Sequence, residues 1–261
     1  MKLGILGTGM IVKDLLSTVH KLPFSGLAIL GTPQTEAETR ELATRYNIDD
    51  VYFDYQEMLN SDVDTIYVAL PNHLHFPFAS QALQKGKHVI IEKPITTSVE
   101  ELNTLKNMAS KQNLIMLEAM NIHHLPAYLS LQSQLAEIGN IKLVTLNYSQ
   151  YSSRYDDFMA GIVHPAFDAK KGGGALMDIN IYNLHFVAGL FGEPKTVNYF
   201  ANVHNNIDTS GMVLIDYGDF KCVCIGAKDC KAPTTSLIQG EKGNMQITLP
   251  VNQMVGFDMA L

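Results

Sequence analysis

The apolar run at residues 2–6 passes directly into Gly7-Thr8-Gly9, and a helical repeat follows with Ile11, Val12, Leu15, Leu16 and Val19 on one side. Strand, glycine turn and helix in that order open a βαβ unit, and they are the context a dinucleotide fingerprint requires. The same grammar continues, with apolar strand-like runs at residues 27–30, 65–69, 88–91 and 114–118 separated by helical patterns. This alternation predicts an α/β fold, a doubly wound parallel sheet over residues 1–120.

Each strand's carboxyl end is where an open α/β sheet binds ligands. After the first strand, Gly7 permits a tight turn and Gly9 lets backbone amides approach a pyrophosphate, with Thr8, Met10 and Ile11 completing the candidate loop. Val12 stands where the fingerprint has its third glycine. The second strand ends in Gly31-Thr32-Pro33 rather than in an acidic residue. With no carboxylate to repel a 2′-phosphate, Gly31 and Thr32 tilt the expected cofactor from NAD toward NADP, with Thr32 or Arg40 as its contact. The strand at 65–69 stops at Leu70-Pro71-Asn72-His73-Leu74-His75, of which Leu70, Pro71, Asn72 and His75 are candidate cofactor contacts. The strand at 88–91 stops at Glu92-Lys93-Pro94, and proline cannot continue a ladder, so Lys93 sits just past a strand end.

Beyond Asn121 the pattern changes to a C-terminal α+β domain with a largely antiparallel open sheet, residues 121–261. A helix is expected at 126–137, a long strand at 141–151 and a glycine-led helix at 172–191. Strands follow at 196–203, 212–217, 220–227, 236–239 and 245–249, with Gly218-Asp219 as a two-residue hairpin loop. On the glycine-led helix, Asp178, Tyr182 and His185 can share one face. The segment from Tyr148 to Asp157 carries hydroxyls, Arg154 and carboxylates that suit a polyol, with Arg154 and Tyr155 the expected contacts.

A formal charge of −7 over 261 residues disfavours nucleic acid and anionic membranes as partners. No apolar run approaches a membrane span and no signal peptide is legible, so a cytoplasmic location is expected. Cys222, Cys224 and Cys230 have no fourth ligand nearby, so they read as structural thiols, without metal.

Taken together, Gly7-Thr8-Gly9, the Pro71-to-His75 turn, Glu92-Lys93-Pro94 and the run from Gly172 to Tyr182 resemble the glucose-fructose oxidoreductase, inositol dehydrogenase and MocA family. The likeness extends to about residue 250, nearest the dimeric dihydrodiol dehydrogenase branch, which has tyrosine where others have a catalytic histidine. It implies an NAD(P)-dependent oxidoreductase acting on a secondary alcohol or carbonyl of a sugar, polyol or related small molecule. A non-catalytic NAD(P)-binding regulator of the same fold is the alternative. It also implies that Lys93, Asp178 and Tyr182 face the nicotinamide; beside Arg154 and Tyr155, the candidate substrate contacts are Asp178, Asn180 and His185. Asn180 stands where the family commonly has glycine, and the chain ends soon after Leu249 where relatives continue, so a shortened C-terminal end is expected. A homodimer through the second sheet is expected too, because Met212-Val-Leu-Ile215 and Cys222-Val-Cys-Ile225 are apolar at both parities. Val213 and Val223 are the positions expected at that contact.

Overall fold

The structure, a computed structural model, describes residues 1–261. The chain forms two compact units, Met1–Ala119 and Met120–Leu261.

The first unit runs β1 (Lys2–Leu6), α1 (Met10–Thr18), β2 (Gly26–Leu30), α2 (Glu36–Tyr46), β3 (Asp50–Tyr52), α3 (Tyr55–Leu59), β4 (Thr65–Val68), α4 (His75–Gln84), β5 (His88–Ile91), α5 (Val99–Lys111) and β6 (Met116–Glu118). The strands form one parallel sheet in the order β3-β2-β1-β4-β5-β6. Successive residues serve opposite layers, which is why these strands read as continuous apolar runs. Leu3, Ile5, Leu27 and Ile29 pack with Val12 and Leu16 of α1 and Leu42 of α2. Leu6, Leu30, Val68 and Ile91 pack instead with residues of α3, α4 and α5. Each such side chain contributes roughly 1.5–3 kcal/mol by burial. At the start of α5 the Ser98 side chain accepts Glu101 N–H at 3.1 Å, and the Glu101 carboxylate reaches back to Thr97 N–H at 3.3 Å, one residue earlier than in a strict capping box. The short β3 was not legible in the sequence, since Asp50-Val-Tyr52 offers only a fragment of strand pattern.

The second unit contains α6 (Pro126–Gln134), β7 (Ile141–Ser149), α7 (Tyr155–Met159), a π-turn at Leu176–Asn180 continuing into α8 (Ile181–Phe191), and then β8 (Thr196–His204), β9 (Ile207–Asp216), β10 (Lys221–Ala227), β11 (Ser236–Gly240), β12 (Asn244–Ile247) and β13 (Asp258–Ala260). The strand order is β13-β12-β11-β7-β10-β9-β8, antiparallel except for the β7 and β10 pair. One hairpin differs from expectation. Asn205 and Asn206 both adopt positive φ, at 47° and 62°, the requirement of a type I′ turn, and β9 therefore begins at Ile207 rather than Met212. Gly218-Asp219 is the expected two-residue loop from β9 to β10, closed by Tyr217 N–H donating to Phe220 O at 3.2 Å, and the Tyr217 and Phe220 rings stack at 4.7 Å.

One sheet face packs Val144, Leu146, Val213, Ile215, Cys222, Cys224 and Ile238 against Tyr128, Leu131, Phe186 and Val187. Val213, expected at a contact between copies, is therefore inside at 1% exposure; its parity in β9 points it at α8's layer. The opposite face carries Phe200, Met212 and Leu214, which are exposed, with Phe200 beside Met212 and Leu214 beside Val223.

Candidate active site

In the first unit, the candidate residues collect at the carboxyl ends of β1, β4 and β5, adjacent strands at the point where the sheet order reverses. Gly7 has φ +103°, and a Cβ there would lie 2.9 Å from Ala69 O, so the turn requires glycine. Gly9 caps α1 without a side-chain bond, and a Cβ there would meet nothing within 4 Å. Met10 and Ile11 are exposed. The open helix start fits the pyrophosphate of a dinucleotide, held by the backbone N–H groups of the first turn.

At the end of β2, a Cβ on Gly31 would lie 2.1 Å from Thr39 Oγ1, which excludes an acidic side chain there. Thr32 is engaged with Thr35 in a reciprocal cap. The view that no carboxylate lies nearby needs correction, because α2 delivers Glu38 to the glycine turn. Thr8 Oγ1 donates to Glu38 at 2.7 Å and Lys13 Nζ at 2.6 Å. Those bonds, Lys13's first, hold the carboxyl below its usual range, and Lys13 offsets its charge. Arg40 pairs with Glu36 at 2.8 Å and lies 5.2 Å from the Phe53 ring.

Two candidate cofactor residues, His75 and Glu92, are bonded within the protein. His75 is buried, with Nδ1 2.8 Å from Pro94 O and Nε2 2.8 Å from Leu70 O. It ties the turn after β4 to the turn after β5, and burial depresses its basicity although both carbonyls oppose this. The Glu92 carboxylate accepts from Tyr67 OH and from Lys93 N–H, so it braces the loop that carries Lys93. Leu70 is half-buried, Pro71 is exposed and Asn72 half-buried on the same turn.

In the second unit, glycines let the chain pass closely before the π-turn. A Cβ on Gly173 would lie 2.6 Å from Pro165 O, and Gly174 has φ +109° against the Asp208 carboxylate. Leu176 N–H donates to Asp208 at 2.7 Å, as Tyr199 OH does at 2.6 Å. Asn180 is 1% exposed. Its Nδ2 donates to Cys224 O at 3.0 Å, and Asn183 donates to Asn180 Oδ1 at 2.9 Å and to Ile225 O at 3.0 Å. Asn180 is thus an anchor of the helix on β10 rather than a substrate contact, and Gly226 makes room for it, since a Cβ there would lie 2.5 Å from Asn180 Cβ.

Asp178 and Tyr182 are half-buried. Tyr182 lies with its ring 6.1 Å from that of Tyr148, and Asp178 Oδ2 accepts from Lys228 Nζ at 2.7 Å. His185 lies against His123, with ring centroids 5.6 Å apart, and burial depresses its basicity. Arg154 is exposed at the start of α7, whereas Tyr155 packs its ring with Tyr151, Phe158 and Phe167. Lys228 escaped the sequence reading; its only signal is a lysine placed directly after the apolar β10.

Residues 1–120 match the GFO_IDH_MocA oxidoreductase family with its NAD-binding Rossmann fold, and residues 133–246 match the GFO/IDH/MocA C-terminal domain. The scyllo-inositol 2-dehydrogenase (NADP(+)) IolU of Bacillus subtilis (strain 168) is 33% identical over 250 residues, 95% of this chain and 76% of the relative. The chain belongs to the GFO/IDH/MocA oxidoreductase family. A second relative in this family, the trans-1,2-dihydrobenzene-1,2-diol dehydrogenase of Mus musculus, is 26% identical, over 95% of this chain and 74% of its own. In fold, the family member resembles the WlbA dehydrogenase of Bordetella pertussis, solved with NADH and UDP-GlcNAcA, at a TM-score of 0.85 and 18% identity, covering 100% of this chain and 78% of that one. As a GFO/IDH/MocA protein it is an NAD(P)-dependent oxidoreductase acting on CH–OH groups.

Proposed function

We propose that the protein catalyses reversible oxidation of a secondary alcohol on a cyclic polyol or sugar, with NADP preferred to NAD. On the segment from Leu176 to His185, Asn180 and Asn183 are consumed in buried bonds to β10, while Asp178 and Tyr182 stay partly exposed. That selective exposure is what supports a reaction here, and the similarity to an NADP-linked inositol dehydrogenase supports the substrate class. When bound, the nicotinamide supplies the two-electron exchange with the carbinol carbon. Tyr182 takes the hydroxyl proton during oxidation and returns it during reduction, Lys93 supplies the positive charge that favours the deprotonated oxygen, and Asp178 accepts a hydrogen bond from a neighbouring substrate hydroxyl. The NADP preference rests on Gly31, which admits no acidic side chain, and on Lys13, which offsets Glu38. Absorbance at the reduced-nicotinamide band, with both cofactors against inositols, sugars and dihydrodiols, tests both parts. Turnover of a polyol with NADP is expected; binding of either cofactor with no turnover across the panel would sink the proposal.

We also propose a homodimer in which a second copy covers the exposed face at Phe200, Met212 and Leu214. No helix is long and apolar enough to cross a membrane, and the proposed location is the cytoplasm, checked by cell fractionation. Light scattering should give about twice the 28.9 kDa chain mass, and Leu214→Lys should shift it to one. A single-chain mass before substitution overturns the dimer.

A further inference from the structure

Lys228 puts an ammonium group where the fold has almost no water. Its side chain is 3% exposed, and burying a charge is costly unless close partners replace its hydration. Three do so. Nζ donates to Ala166 O at 2.7 Å and to Asp178 Oδ2 at 2.7 Å, and it lies 4.1 Å from the centre of the Phe167 ring. The backbone holds the residue from both sides, with Lys228 N–H donating to Thr209 O at 2.8 Å and Lys228 O accepting from Ser152 N–H at 2.8 Å.

The π-turn has supports besides this lysine. Leu176 N–H is held by Asp208, and Asn180 and Asn183 are bonded to β10 carbonyls. Of the groups the ammonium meets, the Asp178 carboxylate carries the opposite charge. An opposite charge at such a distance favours the ionised acid, and a fixed donor on one oxygen restricts the side chain's rotamers. We propose that Lys228 is a positioning residue for Asp178, keeping it ionised and in one orientation so that it serves only as an acceptor. An acceptor-only carboxylate selects substrates that offer a hydroxyl beside the reacting carbon, as polyols do, and disfavours simple ketones and alcohols that offer none. This extends the proposed function and rests on its assignment of Asp178.

The test uses the full chain with Asp178 observed by carboxyl-carbon NMR, comparing the parent with Lys228→Met and Lys228→Gln. Both variants are expected to move the Asp178 titration upward by about one pH unit or more. An unchanged midpoint in whichever variant folds overturns the proposal, whatever the substrate proves to be. Should neither variant fold, the Asp178 midpoint of the parent is read instead, and a midpoint at or above the ordinary aspartate value of about 3.9 overturns the proposal. With scyllo-inositol and NADP, the acid limb of kcat/KM is expected to rise in the variants by the same interval, with a loss of about tenfold or more near neutral pH. An inactive Asp178→Asn enzyme alongside a Lys228→Met enzyme with parental rate and acid limb also overturns the positioning role. If Asp178→Asn keeps full turnover while the NMR midpoint still moves, the assignment of Asp178 to the reaction fails and the pairing stands.

Discussion

Replacing Lys93 with alanine is expected to lower kcat by about a hundredfold or more while NADPH affinity stays within a few-fold of the parent. Tyr182→Phe should do the same. Neither group is a good proton shuttle unaided, because a free tyrosine titrates near pH ~10 and a lysine near ~10.4. A phenol placed at the substrate oxygen needs positive charge close by to give up its proton near neutrality, and Lys93 is the residue assigned to supply it. The loop that carries Lys93 is held by Glu92 and, through Pro94 O, by His75. Truncating the lysine beyond Cβ should leave those bonds and the glycine turn after β1 undisturbed. Steady-state kinetics with the best substrate of the panel, together with fluorescence titration of NADPH, separates the two effects. Undiminished turnover in both variants would remove Lys93 and Tyr182 from the mechanism.

The second large effect is expected at Gly226, which touches neither cofactor nor substrate in the proposed mechanism. Gly226→Ala would put a methyl group 2.5 Å from Asn180 Cβ and 3.2 Å from Asn180 Cα, so the π-turn must move off β10. Overpacking of this kind costs about 1–3 kcal/mol. Because Asp178 lies two residues before Asn180, the shift should also misplace the carboxylate and reduce kcat/KM. Adding Asn180→Gly, which removes the colliding Cβ, should restore part of the activity even though the bond to Cys224 O is lost. Thermal unfolding and kinetics of the single and double variants check this. A Gly226→Ala enzyme as stable and active as the parent would show that the turn has slack which the close packing does not reveal.

The same pair of residues explains a departure that the sequence displayed without its reason. The resemblance leads one to expect glycine at Asn180, and read along the chain Asn180 was a polar group offered to substrate. Its partners, Cys224 O and Gly226, are more than forty residues away. Glu38 is a similar case. The end of β2 carries no acidic residue, but the next helix swings a carboxylate back to Thr8 and Lys13. The exposed face of the second sheet was half legible. Consecutive apolar residues in β9 and β10 showed that both faces were apolar, yet only the strand's parity against α8 shows that Val213 points inward and Leu214 outward.

What the sequence determined by itself was everything carried by short-range pattern. Apolar runs broken by Gly7, Pro71 and Pro94 define where strands of the first sheet stop, and those stops are the edge where Lys93 lies. The alternation of runs with helical repeats defines a parallel sheet, because a strand followed by a helix must cross over to pair again. Tertiary structure alone decided which polar side chains remain for chemistry. Asn180 and His75 are bonded to carbonyls, and Glu92 to a phenol, contributed by other strands and turns, and Asp178 gains a buried cation from Lys228, fifty residues further on. Hydrogen bonds between such distant residues leave no periodic trace along the chain, since each depends on two separate elements arriving within about 3 Å of one another.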